Sequence, residues 1–236
     1  MDFENWPTQY WHKLENDRIQ CDLCPRACKL KNGKRGLCFV RGCENDQIVL
    51  KTYGRSSGYC IDPIEKKPLN HFYPGSGILS FGTAGCNLAC KFCQNWDLSV
   101  SKFNESQAIS LPPERVAQLA VHYKAKSIAF TYNEPTIFAE YAMDTAKLSH
   151  SMDLKNVMVT NGYIAGEAID EVYRDMDAAN IDLKAFTDQF YEKFTLAQIA
   201  PVLNSIKRIK ELNKWIELTT LVIPGYNDDE EEMNRM

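Results

Sequence analysis

No cysteine follows Cys93, although nine lie at or before it in a chain of 236 residues. Also missing is any apolar run of about 18 residues, the length a membrane-spanning helix needs. The amino-terminal MDFENWPTQYWHKLEN lacks the apolar stretch of a signal peptide. Charge of one sign is missing too: the net charge is −4, so nothing global points to nucleic acid or to an anionic membrane. These absences point to the cytoplasm. Disulfides are disfavoured there, an odd number of cysteines cannot all pair, and clustered thiols more often hold metal. No internal repeat or low-complexity tract is present. At 44% hydrophobic and 25% charged, the composition is that of an ordinary globular chain with a sizeable core. The basic stretch Arg26, Lys29, Lys31, Lys34, Arg35 reads as a solvated loop. The acidic run Asp228 to Glu232 reads as a solvated turn or helix start.

From about residue 77 the periodicity alternates. ILSFGTA is a short apolar run. SLPPERVAQLAVHYKAK has Ser110 as its expected N-cap and Val116, Leu119, Ala120 and Tyr123 on one helical face. SIAFTYNEP, NVMVTNG, ANIDLKAF and WIELTTLVIPG read as strands. Between them, TIFAEYAMDTAKLSH carries Phe138, Tyr141, Ala142 and Thr145 on one side. AIDEVYRDM carries Ile169, Val172, Tyr173 and Met176, and PVLNSIKRIKEL is a further helix. Strand and helix alternating at this spacing predict an α/β fold with about five βα units and a parallel sheet, barrel or open. Chemistry in such sheets sits at the carboxyl ends of the strands. Those ends read, in order, the cysteine loop, TYNEP, TNG, DLK and IPGYND. Residues 1–60 are Cys-, Lys- and Arg-rich with little periodicity. They read as a small element stabilised by metal or loops, ahead of the main unit at 61–236.

FGTAGCNLACKFCQN places Cys86, Cys90 and Cys93 in one loop. Three spare thiols on a rim are liable to oxidise or capture metal. Structural zinc takes four protein ligands, and a 4Fe–4S cluster usually takes four cysteines. Three leave one position open for a substrate or cofactor.

Cys-x3-Cys-x2-Cys, with Phe92 before the last cysteine, resembles the signature of radical S-adenosylmethionine (SAM) enzymes. The resemblance implies a partial (βα) barrel and a 4Fe–4S cluster on Cys86, Cys90 and Cys93. Its open iron is chelated by the amino and carboxylate groups of SAM. One electron then cleaves the sulfonium to a 5′-deoxyadenosyl radical, which abstracts hydrogen. By the same resemblance Glu134, beside Asn133, faces the SAM ammonium; the alternative is a strand-to-helix turn set by Pro135. Thr160 and Asn161, and Asp182 with Lys184, resemble the third and fourth strand ends of pyruvate formate-lyase activating enzymes, where the lysine faces the SAM carboxylate. Lys184 on a plain strand end is the alternative. Ile223, with Val222, resembles the segment along the adenine, or is plain core.

Beyond the loop, CDLCPRAC, IDPIEKKPLNHFYPGS, YNEPTIF, NIDLKAF and TTLVIPGYND are similar to the radical SAM component of the AmmeMemoRadiSam system. That family is related to the activases, and the resemblance implies no established substrate. It implies an electron donor such as flavodoxin or ferredoxin and allows a protein as substrate. A glycyl-radical activase is the runner-up; the Gly-Pro-Gly segment of true activases is absent. The reading of another class is an Fe–S electron carrier or a zinc-stapled interaction module. Cys21, Cys24, Cys28 and Cys38, with Cys43 spare, read as a second metal site, zinc or Fe–S, or else as a reduced loop. Glu65, Lys66, Lys67 and His71 are surface charge on a connector or reach the substrate mouth; Lys67 and His71 are the catalytic candidates. The chain stops at Met236, after the fifth of six family strands, and reads as a truncated product with an open sheet edge.

Overall fold

The computed structural model describes residues 3–101 and 108–236. The amino-terminal part, short on periodicity, forms two small antiparallel sheets. In one, β1 (Trp6–Pro7) pairs with β6 (Gln47–Leu50), which pairs with β5 (Arg41–Glu44). Asn45 and Asp46, both at positive φ, make the two-residue turn between β5 and β6; asparagine and aspartate tolerate that conformation best after glycine. In the other sheet β2 (Trp11–Leu14), β3 (Arg18–Cys21) and β4 (Lys29–Leu30) follow in order. β7 (Arg55–Ser56) pairs with β10 (Ile109–Ser110), so Ser110 is a strand residue and not a helix cap.

The central sheet has six strands: β8 (Gly58–Pro63), β9 (Gly77–Gly82), β11 (Ser127–Phe130), β12 (Lys155–Thr160), β13 (Ala178–Asp182) and β14 (Trp215–Thr219). They lie side by side in chain order. β9 to β14 are parallel, and β8 is antiparallel to β9. The expected division at residue 60 therefore cuts through a paired strand, and both parts share one apolar core.

The helices include α1 (Trp96–Ser99), α2 (Pro113–His122), α3 (Ala139–His150), α4 (Gly166–Val172), α5 (Asp188–Phe190), α6 (Ile199–Glu211) and α7 (Glu230–Arg235). Phe138, Tyr141, Ala142, Thr145, Ile169, Val172, Tyr173 and Met176 are buried as their spacing predicts. On α2 the stripe is Val116, Ala117 and Ala120, while Tyr123 is exposed at the helix end. Leu79, Phe81, Ile128, Phe130, Met158 and Ile181 share the core with these helical residues. On the other face of the sheet Ile78, Ala129, Val157 and Ala178 are covered by Ile64 and Leu69, from the segment between β8 and β9. α7 forms from the acidic run, capped by Asp229. Its Glu232 turns inward and accepts a hydrogen bond from Phe186 N at 2.6 Å, so that residue is not solvated. Among the described residues no helix is long and apolar enough to cross a membrane.

Candidate functional site

Five parallel strands bring five loops to one rim. The first carries the three cysteines. It opens at Gly85, whose φ is +85°, and a Cβ there would stand 1.9 Å from the carbonyl oxygen of Cys38. Only glycine fits both the conformation and the space. Gly85→Ala is therefore expected to lower stability by about 2–4 kcal/mol, from left-handed strain and steric overlap together, read as a lower urea midpoint with unchanged slope.

Further on, the loop is pinned by Ala89 N to Thr195 O (3.1 Å) and Lys91 N to Phe194 O (2.9 Å). Asn133, at the end of β11, donates from its amide to Gly85 O (2.9 Å) and Ala84 O (3.2 Å) and accepts from Thr83 N (3.1 Å). The second loop thus fixes the first.

Glu134 is almost wholly buried. Its carboxylate accepts from Thr136 N (2.9 Å), Thr160 Oγ1 (2.7 Å) and Asn161 N (2.8 Å). Burial raises its pKa, and these donors work against that rise. So Glu134 caps the turn at Pro135–Phe138 and also locks β11 to β12. A carboxylate has about four acceptor sites, which leaves one beyond these three. The Asn161 amide donates to Asn87 Oδ1 (2.9 Å) and reaches Cys86 Sγ at 3.9 Å. Asn133, Glu134, Thr160 and Asn161 therefore gather at the Cys86 end of the loop.

The fourth strand end gathers at Cys90. Lys184 Nζ lies 3.0 Å from Asp182 Oδ2 and 5.9 Å from the centre of the Phe92 ring. Burial works against its charge, but Asp182 and the Cys90 sulfur outweigh that and raise its pKa. Ile223, half-buried, belongs to the fifth loop. That loop is tied to the fourth by Asn227, whose amide donates to Lys184 O at 2.8 Å. Asn227, Asn87 and Arg26 are missed by the sequence reading. Arg26 is not merely solvated: its Nε donates to Asn87 O at 2.8 Å. Asparagine and arginine carry no periodic signal, and their roles emerge only when distant loops meet.

The three thiols influence one another. Burial pushes the Cys86 thiol well above its usual range, and Glu134, Cys90 and Cys93 add to the rise. Burial holds Cys90 up at about 11, against the pull of Lys184. Leu88 N donates to Cys86 Sγ at 3.4 Å, and Cys93 Sγ lies 3.4 Å from Ser99 Oγ. Three soft sulfur donors on one pinned loop, with donors aimed at one of them, fit an iron–sulfur cluster with one iron left to a cofactor.

The remaining expected residues lie elsewhere. Lys67 is buried and pairs with Asp62 at 2.7 Å, over the Tyr132 ring at 4.4 Å. It is neither surface charge nor free at a mouth. His71 is exposed, 3.5 Å from Glu217. The two catalytic candidates are thus held by different partners. Cys21, Cys24, Cys28 and Cys38 line one cavity, and Cys43 is not among its lining residues.

A profile of the Radical SAM superfamily matches residues 81–236. The chain belongs to the radical SAM superfamily, whose chemistry uses a 4Fe–4S cluster and SAM. Over 95% of its length the chain is 39% identical to an uncharacterized protein of Methanocaldococcus jannaschii, of which it spans 66%. It is 23% identical over 169 residues to the pyruvate formate-lyase 1-activating enzyme of Escherichia coli, covering 69% of this chain and 68% of that protein. The chain thus spans about two thirds of these relatives. The solved structure of SuiB from Streptococcus suis matches 67% of this chain and 35% of its own, with a TM-score of 0.52 at 14% identity, which shows a shared fold.

Proposed function

We propose that this chain is a radical SAM enzyme whose cluster is held by Cys86, Cys90 and Cys93, within a partial barrel of five βα units. Cys86, Cys90 and Cys93 would hold the cluster, which when bound would supply the single electron for reductive cleavage of SAM and so the means of hydrogen abstraction. One observation carries the reading. The cysteine loop runs between a carboxylate, Glu134, near Cys86 and an ammonium, Lys184, near Cys90. SAM carries the opposite pair on its methionine moiety, an ammonium and a carboxylate, so the two ends of the loop can orient it by charge. Asn133, Thr160 and Asn161 hold Glu134 and the loop in place. Phe92 and Ile223 offer apolar surface to the rest of the cofactor. Asp182 keeps Lys184 charged.

The finer reading is the radical SAM component of the AmmeMemoRadiSam system, reduced by a flavodoxin or ferredoxin and acting on an unidentified substrate, of which a protein is one class. The similarity to an activating enzyme favours, as a second reading, radical transfer to a glycine of a partner. Nine free cysteines fit the reducing cytoplasm.

Lys184→Met separates a cofactor role from a plain strand end. The Asp182 side chain is 40% exposed, so losing its partner costs little stability. The expected outcome is SAM affinity lower by about tenfold or more, the scale of one lost charge-assisted bond, with thermal stability nearly unchanged. Unchanged affinity, measured by calorimetry on anaerobic protein, rejects the role. Glu134 is the poorer probe, because it also holds the backbone.

A further inference from the structure

The loop that carries Glu134 also carries a residue the chemistry above does not use. Tyr132, just before Asn133 and Glu134, has a φ of +70°. That left-handed conformation is costly for any residue with a Cβ, and a bulky one keeps it where its surroundings hold it. Three groups do so. The Tyr132 hydroxyl donates to Asp62 Oδ2 at 2.9 Å. Lys67 Nζ stands 4.4 Å from the centre of the ring. The Asn95 amide, from the end of the cysteine loop, donates to Tyr132 O at 2.7 Å.

The far end of this hold is anchored. Asp62 lies on β8 opposite Ile78, near the start of β9, whereas Tyr132 follows the end of β11 at the rim. The phenol therefore ties the rim to the opposite half of the sheet. Asp62 and Lys67 are buried; Asp62 accepts from Lys66 at 2.8 Å and pairs with Lys67 at 2.7 Å. Beyond Lys67 the chain is pinned to two more strands. Asn180 on β13 donates to Pro68 O at 3.0 Å, and Glu217 on β14 accepts from Asn70 N and His71 N at 2.8 and 3.0 Å. The near end is the site itself. Asn133 grips Gly85, and Glu134 keeps one acceptor position beyond the donors that hold it.

We propose that Tyr132 is a positioning residue for SAM: clamped by Asp62 and Lys67, it sets where the Glu134 carboxylate stands, and so how well the site takes the ammonium of the methionine moiety. The proposal rests on the reading that Glu134 faces SAM. A glycine at this position would adopt the same φ without strain. The backbone alone therefore does not call for a tyrosine; its ring and hydroxyl do. Lys67 acts through Tyr132 and touches no substrate, which gives the buried Asp62–Lys67 pair a task in cofactor binding.

The test compares wild type, Tyr132→Gly, Tyr132→Phe and Lys184→Met after anaerobic reconstitution. Calorimetry gives the affinity for SAM and for 5′-methylthioadenosine, which keeps the adenosine and the sulfur but has no amino-acid part. Melting temperature is recorded beside it. Tyr132→Gly releases the left-handed strain as it removes the clamp, so its melting temperature should stay close to that of wild type. Its SAM affinity should fall about tenfold, the scale of one weakened charge-assisted hydrogen bond, with the affinity for methylthioadenosine unchanged. Tyr132→Phe keeps the ring beside Lys67 and loses the bond to Asp62. A smaller loss of the same kind is expected, and this variant carries the test should the glycine variant fail to fold. SAM affinity unchanged in the Tyr132 variants but lowered in Lys184→Met overturns the clamp and spares the cofactor reading. SAM affinity unchanged in every variant overturns both. Equal losses for SAM and methylthioadenosine in the Tyr132 variants mark a residue that only supports the fold, and overturn the proposal as well.

Discussion

Replacing Cys86, Cys90 and Cys93 together with alanine is expected to bring 5′-deoxyadenosine formation, measured by chromatography under reducing conditions, down to background. A fall of at least about a thousandfold is the scale expected, because the reaction has no alternative electron path to the sulfonium; that corresponds to about 4 kcal/mol or more of barrier. The fold should survive. These side chains are half-buried in a loop that is held mainly through other atoms: Asn133 grips Gly85, the backbone at 194–195 grips Ala89 and Lys91, and Asn161 grips Asn87. An unfolded variant would show that the thiols staple the loop; unaltered activity would show that they are not the cluster ligands.

The second large effect concerns stability. Arg41 and Glu140 form a bidentate pair with side chains only 3% and 8% exposed, and Arg41 also donates to Ile137 O at 3.1 Å. The pair joins β5 to α3, and so ties the amino-terminal sheets to the helical layer. Arg41→Met leaves a buried carboxylate without its partner, which costs about 3–5 kcal/mol, or about 10 °C in melting temperature for a chain of this size. Adding Glu140→Leu should recover most of the loss, since apolar side chains of similar volume often match a buried pair. Two single losses that merely add would contradict the account.

The strands and helices after residue 77 were legible because each is long enough to show its period, and the loops between them end in residues of special chemistry. The candidate site was legible for the same reason: the cysteines, Glu134 and Lys184 stand where strands stop. What escaped has physical causes. Strands of two to four residues, such as Trp6–Pro7 and Arg41–Glu44, are too short to carry a period. β8 escaped because its GYCIDP has no apolar alternation; it pairs with β9 along its whole length, and its Asp62 holds Lys67. Lys67 is buried only because Asp62 and Tyr132 meet it there. Tyr123 satisfies a helical spacing that the helix does not reach, since α2 ends one residue earlier, at His122.

The central claim is that the loop at residues 86–93 holds a cluster with an iron open to SAM. Its most direct test is low-temperature EPR of the anaerobically reconstituted, reduced protein, titrated with SAM. The account predicts a cluster signal whose g-values shift on adding SAM, and a loss of the SAM-responsive part when the three cysteines become alanine. A signal indifferent to SAM, in protein shown by iron analysis to carry its cluster on this loop, would contradict it.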